Sequence, residues 1–156
     1  MHASAERFAA RVSEEYGFDA TIEEFPEGTK TATDAADAVD CSVSQIVKSI
    51  VLTAGDEAVV VLTAGDNRVD TDALADELGV DAVDTATPER VKAATGWSIG
   101  GVPPFGHDEP VATFLDESLL AHDRIWAAAG TPDAVFALSP ADLRRLADPT
   151  VVSAFE

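Results

Sequence analysis

The chain has 156 residues, 46% of them hydrophobic, and its 29 acidic and 10 basic side chains give a formal net charge of −19. That length suits one domain with a real core, expected over residues 1–156, and the apolar content excludes a disordered chain. No apolar run approaches the roughly 20 residues that cross a bilayer. Met1-His2-Ala3-Ser4-Ala5-Glu6 lacks the basic and apolar regions of a signal peptide, so a cytoplasmic protein without a membrane partner is expected. Cys41 is the single cysteine, which excludes an internal disulfide and a cysteine metal cluster. His2, His107 and His122 are far apart and match no metal-ligand spacing, so neither metal nor cofactor is expected.

In chain order, Ala3 to Tyr16 places Phe8, Ala9, Val12 and Tyr16 at helical spacing, and Gly17 supplies a C-terminal cap. Thr21 to Phe25 alternates like a strand until Pro26-Glu27-Gly28 breaks it. A short helix starts at Thr33-Asp34-Ala35-Ala36, with Thr31 or Thr33 as its cap. Val47 to Thr53 and Ala58 to Thr63 are β-rich runs around Gly55-Asp56-Glu57, which predicts a hairpin at the sheet centre. Asp70 or Thr71 caps a helix through Leu78, and Thr87-Pro88-Glu89-Arg90 opens another that ends near Gly96. Val111 to Leu115, Arg124 to Ala127 and Ala134 to Leu138 read as strands, and Ser139-Pro140-Ala141-Asp142 opens the last helix. Hairpins and helical connections together predict an α/β fold with a mixed, mostly antiparallel sheet flanked by helices.

Two features stand out from this plain scaffold. In Gly100-Gly101-Val102-Pro103-Pro104-Phe105-Gly106-His107 the paired glycines allow close approach of main chain to a ligand, and the prolines stiffen the turn and remove two donors. The same composition also suits a stiff surface turn. Lys48 interrupts the apolar run Ile46-Val47 to Ile50-Val51-Leu52, where a cation needs a carboxylate, an exposed edge or an incoming anion such as a phosphate. Neither a G-x-x-x-x-G-K-[ST] loop nor a G-x-G-x-x-G helix opening is present, which leaves nucleotide hydrolysis and dinucleotide binding without support.

Gln45-Ile46-Val47-Lys48-Ser49, Gly65-Asp66-Asn67-Arg68-Val69-Asp70, Thr95-Gly96-Trp97-Ser98-Ile99-Gly100-Gly101-Val102-Pro103-Pro104, and Ala129-Gly130-Thr131-Pro132-Asp133 with Leu138-Ser139-Pro140-Ala141-Asp142-Leu143 occur in this order. Together they resemble the YbaK/aminoacyl-tRNA-synthetase-associated domain family, over nearly the whole chain. That family contains free-standing editing domains similar to the insertion domain of bacterial prolyl-tRNA synthetase, whose characterised members hydrolyse the ester of mischarged tRNA. The resemblance implies the same α/β architecture, the 3′ end of an aminoacyl-tRNA as substrate, and a synthetase as a further partner. It also puts Lys48 where the family's lysine contacts the tRNA end near the scissile ester, and it matches Ser49 to a small hydroxyl position.

Ester hydrolysis needs stabilisation of the carbonyl oxygen and delivery of a water or hydroxyl, and neither task requires a nucleophilic side chain. Lys48, Gly100 and Gly101 are therefore the expected catalytic constellation: backbone amides near the diglycine serve the oxyanion, and the ammonium holds a phosphate or polarises the reacting group. Ser13, Ser49, Ser98, Ser139 and Ser153 have no G-x-S-x-G context, which makes a serine-hydrolase mechanism the least favoured enzyme reading. Substrate-binding candidates are Thr31, which also suits a helix cap; Ser49, which also suits a strand hydroxyl bonded to backbone; Arg68, which also suits a local ion pair; and Asp133, which also suits a turn. Phe25 and Phe105 suit either stacking on the terminal adenine or core packing, and Cys41 reads as inert packing.

The acidic surface opposes a polyanionic partner at low ionic strength. At about 1 M salt the Debye length falls to about 3 Å, so abundant Asp, scarce Lys and Ala/Val-rich apolar positions point to a salt-adapted protein whose cleft keeps its few cations. Two function classes follow: a trans-editing deacylase, or a non-catalytic module that binds a tRNA end or a synthetase with the same pocket.

Overall fold

The computed structural model describes residues 2–25 and 31–155, and Pro26-Glu27-Gly28 lies outside them. The opening helix α1 runs over Ala3–Tyr16 and buries Ala5, Phe8 and Val12, one turn apart on one face. Gly17 ends it in the left-handed region at φ 64°, donating its N–H to the Ser13 carbonyl. Strand β1 (Ile22–Glu24) follows, then helix α2 (Ala32–Val39), capped by the Thr31 hydroxyl, which accepts from the Asp34 N–H at 3.1 Å. The expected hairpin is β2 (Ile46–Ala54) and β3 (Glu57–Ala64). Asp70 caps α3 (Thr71–Leu78), and Thr87 caps α4 (Pro88–Thr95), whose proline sits where no N–H is needed. Strands β5 (Ala112–Asp116), β6 (Ile125–Ala128) and β7 (Ala134–Leu138) precede helix α5 (Pro140–Ala147), capped by Ser139.

Two three-residue strands were not expected, β4 (Val83–Thr85) and β8 (Thr150–Val152). Each is too short to show a period and is defined by its partner: β4 pairs with the far end of β2, and β8 with β5. Short 3₁₀ turns at Val43–Gln45 and Glu117–Ala121 were likewise missed.

All strands join one mixed sheet in the order β1-β7-β6-β2-β3-β5-β8, with β4 off this path against β2. Pairs β1–β7, β2–β3, β2–β4 and β6–β7 are antiparallel, while β2–β6, β3–β5 and β5–β8 are parallel. Strand β2 stands at the centre because it is the hub of three pairings.

Side chains alternate across this sheet and divide the core in two. One face carries Val47, Val51, Val60 and Leu62 against α1, α4 and α5 through Phe8, Val12, Val91, Leu143 and Leu146. The other is covered in two patches: α2 packs Ala35 and Ala36 on Ile46 and Trp126, whereas α3 packs Leu74 and Ala75 on Leu52, Val59 and Val61. Between those patches a seam crosses β2 where neither helix reaches. Lys48 lies in that seam, between Ile46 and Ile50 and opposite Thr63.

Candidate functional site

Lys48 is half-buried, and its Nζ donates to the Asn67 carbonyl at 2.7 Å. The partner is thus main chain from the turn after β3, not the buried carboxylate that an apolar strand suggested. Asn67 is itself fixed: its Nδ2 donates to Asp116 Oδ2 at 2.8 Å and to Ser118 Oγ at 3.2 Å. Asp116, 3% exposed, also accepts the Ala64 N–H at 3.1 Å through Oδ2 and the Ser118 N–H at 3.0 Å through Oδ1. A buried carboxylate therefore organises the turn whose carbonyl holds the ammonium. Burial pushes the Lys48 pKa below its ordinary value and Arg68 pushes it the same way, against the raising pull of Asp66 and Asp116.

The diglycine bend is built by close approach. A Cβ on Gly101 would lie 2.6 Å from Thr131 Cα and 2.8 Å from Thr131 N, so only glycine lets this loop seat on the β6–β7 hairpin. Gly100 has φ 87° and stands over Pro132. Gly130 of the same hairpin is wedged between Trp97 and the Ser4 carbonyl, with φ 91°. The Gly101 amide donates to the Ser98 carbonyl at 3.0 Å, closing the bend internally, while Gly100 is exposed. Of the two amides offered by the sequence for an oxyanion, the Gly101 one is already engaged.

The hairpin links bend and lysine. Parallel pairing of β2 with β6 ends at Val47↔Ala127, so Lys48 comes next in register to Ala128, directly before the Ala129–Asp133 turn that seats the glycines. The Lys48 side chain leaves on the α2/α3 face, whereas Val102, just past the bend, is buried on the other face with Val47 and Val51. The common ground is thus the rim of the sheet at the hairpin, with the ammonium leaning toward Asn67.

The remaining candidates divide. Arg68 is exposed and close enough to Lys48 to influence its charge. Ser49 faces the Val47/Val51 side, and its Oγ is buried without a hydrogen-bond partner. Thr31 is engaged as the α2 cap. Asp133 sits in the hairpin turn; its carbonyl accepts the Phe25 N–H at 2.9 Å and its own N–H donates to Thr131 Oγ1 at 3.4 Å. Phe105 is core, packed edge-on against Tyr16, Phe18 and Phe136, which removes it as a stacking platform. Phe25 also packs beside the α2 patch. Cys41 is half-buried, and burial, followed by Asp40, pushes its thiol pKa up. Sequence reasoning missed Asn67 and Asp116 as supports of Lys48: Asn67 reaches it across the β2–β3 hairpin, and Asp116 comes beside Asn67 only through the β3–β5 pairing.

Two open clefts lie elsewhere, one of about 340 Å³ beside Tyr16, His107 and Leu146, the other of about 470 Å³ beside Trp126, Arg124 and Glu23. Neither includes Lys48 or the diglycine. Among the described residues no His, Cys, Asp or Glu cluster has the makings of a metal site, and no helix is long and apolar enough to cross a membrane.

Comparison with known proteins matches this scaffold. A solved structure of a candidate trans-editing enzyme for prolyl-tRNA synthetase superimposes with a TM-score of 0.94 at 38% identity, covering 100% of this chain and 99% of that one. The uncharacterized protein YwhH of Bacillus subtilis (strain 168) is 31% identical over 123 residues, 78% of each chain. The proline–tRNA ligase of Lactobacillus acidophilus is 34% identical over 121 residues, which are 73% of this chain but only 21% of that enzyme. The model of the aminoacyl-tRNA editing domain matches residues 26–146, and together with these relatives it shows that the chain belongs to the aminoacyl-tRNA editing domain family.

Proposed function

We propose that this protein is a trans-editing aminoacyl-tRNA deacylase that hydrolyses the ester of mischarged tRNA. The observation that carries the reading is the single ammonium of Lys48, half-buried in a seam of the sheet, bonded to a main-chain carbonyl instead of a carboxylate, and one register step from the hairpin that seats the diglycine bend. A cation held by a neutral group keeps attraction to spare for an arriving anion.

In the reaction, water adds to the ester carbonyl carbon, negative charge gathers on the carbonyl oxygen, and the carbon–oxygen bond to the terminal ribose breaks. The amino acid leaves as its carboxylate, the released ribose oxygen takes one proton of the attacking water, and the other passes to solvent. Lys48 orients the 3′ end through its negative oxygens or stabilises the developing oxyanion, and the exposed Gly100 amide is a second donor at the rim. Arg68 adds positive potential, while Thr31 and Asp133 shape the walls around the terminal residue. A synthetase partner supplies tRNA identity, consistent with the likeness to proline–tRNA ligases.

The test mixes the protein with alanyl-, cysteinyl- and prolyl-charged tRNA in high KCl beside Lys48→Ala. Wild-type turnover reduced by at least about 100-fold in the variant supports the reading, the size expected for loss of an oxyanion-type contact. Turnover that survives the substitution removes Lys48 from the mechanism. No turnover of any charged tRNA, with binding retained, favours the non-catalytic module.

A further inference from the structure

The loop that carries the diglycine begins at Gly96, where an unusual amount of positive charge converges. The Gly96 carbonyl accepts from Arg7 Nη2 at 2.6 Å and from Lys92 Nζ at 3.2 Å. The Arg7 guanidinium lies 3.9 Å above the centre of the Trp97 ring, and Arg11 lies 5.6 Å from the same ring. Trp97 is 1% exposed and its far edge backs Gly130, so these cations rest on the platform that also supports the hairpin.

Their compensation is unequal. Arg11 is neutralised by Asp108 at 2.6 Å and also donates to the Gly106 carbonyl at 3.0 Å. Arg7 and Lys92 form no ion pair among the described residues, and both are exposed. They share one carbonyl at the C-terminus of α4, which offers about half a negative charge to two whole positive ones. Holding two like charges on one acceptor is costly unless an anion joins them. In a chain with 10 basic against 29 acidic residues, two of those ten stand here outside any ion pair among the described residues, because the Asp108 carboxylate that lies against Gly96 is taken by Arg11.

We propose that Arg7 and Lys92 form a phosphate-binding site that receives a backbone phosphodiester of the RNA strand whose 3′ end reaches the diglycine rim. This rests on the deacylase reading and deepens it. The stacked guanidinium keeps most of its five donors free, in the planar fork that matches two phosphate oxygens, and the ammonium adds a point charge. Gly96 and Gly100 are four residues apart, so at most about 14 Å of chain separates this cation pair from the bend. A surface of net charge −19 repels RNA nearly everywhere, and an entering strand needs a local positive stop beside the reaction centre.

The test is binding of uncharged tRNA across a KCl series by wild type, by the double variant Arg7→Gln/Lys92→Gln, and by Arg124→Gln/Arg144→Gln, which makes the same charge change elsewhere. The first double variant is expected to bind about tenfold more weakly, with a slope of log affinity on log salt shallower by about 0.7–0.9, the value for one neutralised phosphate. The charge-preserving exchange Arg7→Lys/Lys92→Arg keeps the wild-type slope, which guards against misfolding as the cause. Equal slopes in the two Gln double variants overturn the site. If Lys48→Ala still abolishes turnover in that case, the deacylase reading stands without it; wild-type protein that neither binds nor hydrolyses charged tRNA overturns both.

Discussion

Lys48 shows how one side chain takes its properties from four elements. Its strand places it in an apolar run, the gap between α2 and α3 leaves it half-solvated, and the Asn67 carbonyl fixes its head. Burial and Arg68 both favour the neutral amine, so the ammonium is lost at a lower pH than for a free lysine. The alkaline limb of the deacylation profile, corrected for spontaneous ester hydrolysis, is therefore expected below the ordinary 10.5. Arg68→Gln moves that limb up and Asp66→Asn moves it down, and a limb indifferent to both separates the profile from Lys48. Asp116 acts one step further out. Asp116→Asn replaces a carboxylate that accepts four hydrogen bonds with a group that also donates, which is expected to cost about 1–3 kcal/mol of stability and to lower Lys48-dependent turnover about tenfold. Chemical denaturation and single-turnover kinetics measure the two effects separately, and an unchanged turnover refutes the positioning role.

At the scale of elements, the bend and the hairpin behave as one unit because glycine at 101 lets the bend touch Thr131 backbone and glycine at 130 admits the Trp97 ring. Gly101→Ala forces backbone apart, not the end of a flexible side chain, and overpacking of that kind costs about 1–3 kcal/mol. A lower melting temperature accompanied by lost turnover is the expected result; an alanine variant of wild-type stability and activity contradicts this packing. The far end of the same loop carries His107, whose Nε2 is 2.7 Å from the Pro103 carbonyl. Burial lowers its pKa, aided by Arg11 and opposed by the Pro103 hydrogen bond and Asp108. Because the folded imidazole binds its proton less readily than the unfolded one, stability is full above the unfolded value of about 6.5 and declines as pH falls toward the folded value. The stability advantage of wild type over His107→Gln is thus expected to shrink as the pH is lowered through the unfolded value of about 6.5, as read by urea denaturation, and a constant difference rules the imidazole out.

For the whole molecule the governing quantity is the excess of 19 negative charges, of which ion pairs such as Arg11–Asp108 and Arg145–Asp142 relieve little. Screening shortens the reach of this repulsion from about 30 Å at 0.01 M salt to about 3 Å at 1 M. The melting temperature should therefore climb as KCl is raised over that range, and equal melting in both limits denies salt adaptation. The same screening lets an acidic protein approach RNA, so deacylation is expected to persist at salt concentrations that weaken ordinary tRNA binding.

Most elements were legible from local rules: helix α1 with its Gly17 cap, the β2–β3 hairpin, Pro88 and Pro140 just inside their helices, and an isolated lysine in an apolar run are each written within a few residues. The four ordered sequence blocks likewise carried the family likeness. What the chain could not announce is everything set by contacts between distant segments. β4 and β8 exist only through their partners, Asp116 comes beside Asn67 and so supports Lys48 only through the parallel pairing of β3 with β5, and Arg7 joins Lys92 on the Gly96 carbonyl only because α1 packs beside the end of α4. Local propensity determines where a backbone can turn or stay straight, whereas the partner of a charge depends on which remote segment packing brings within hydrogen-bond reach.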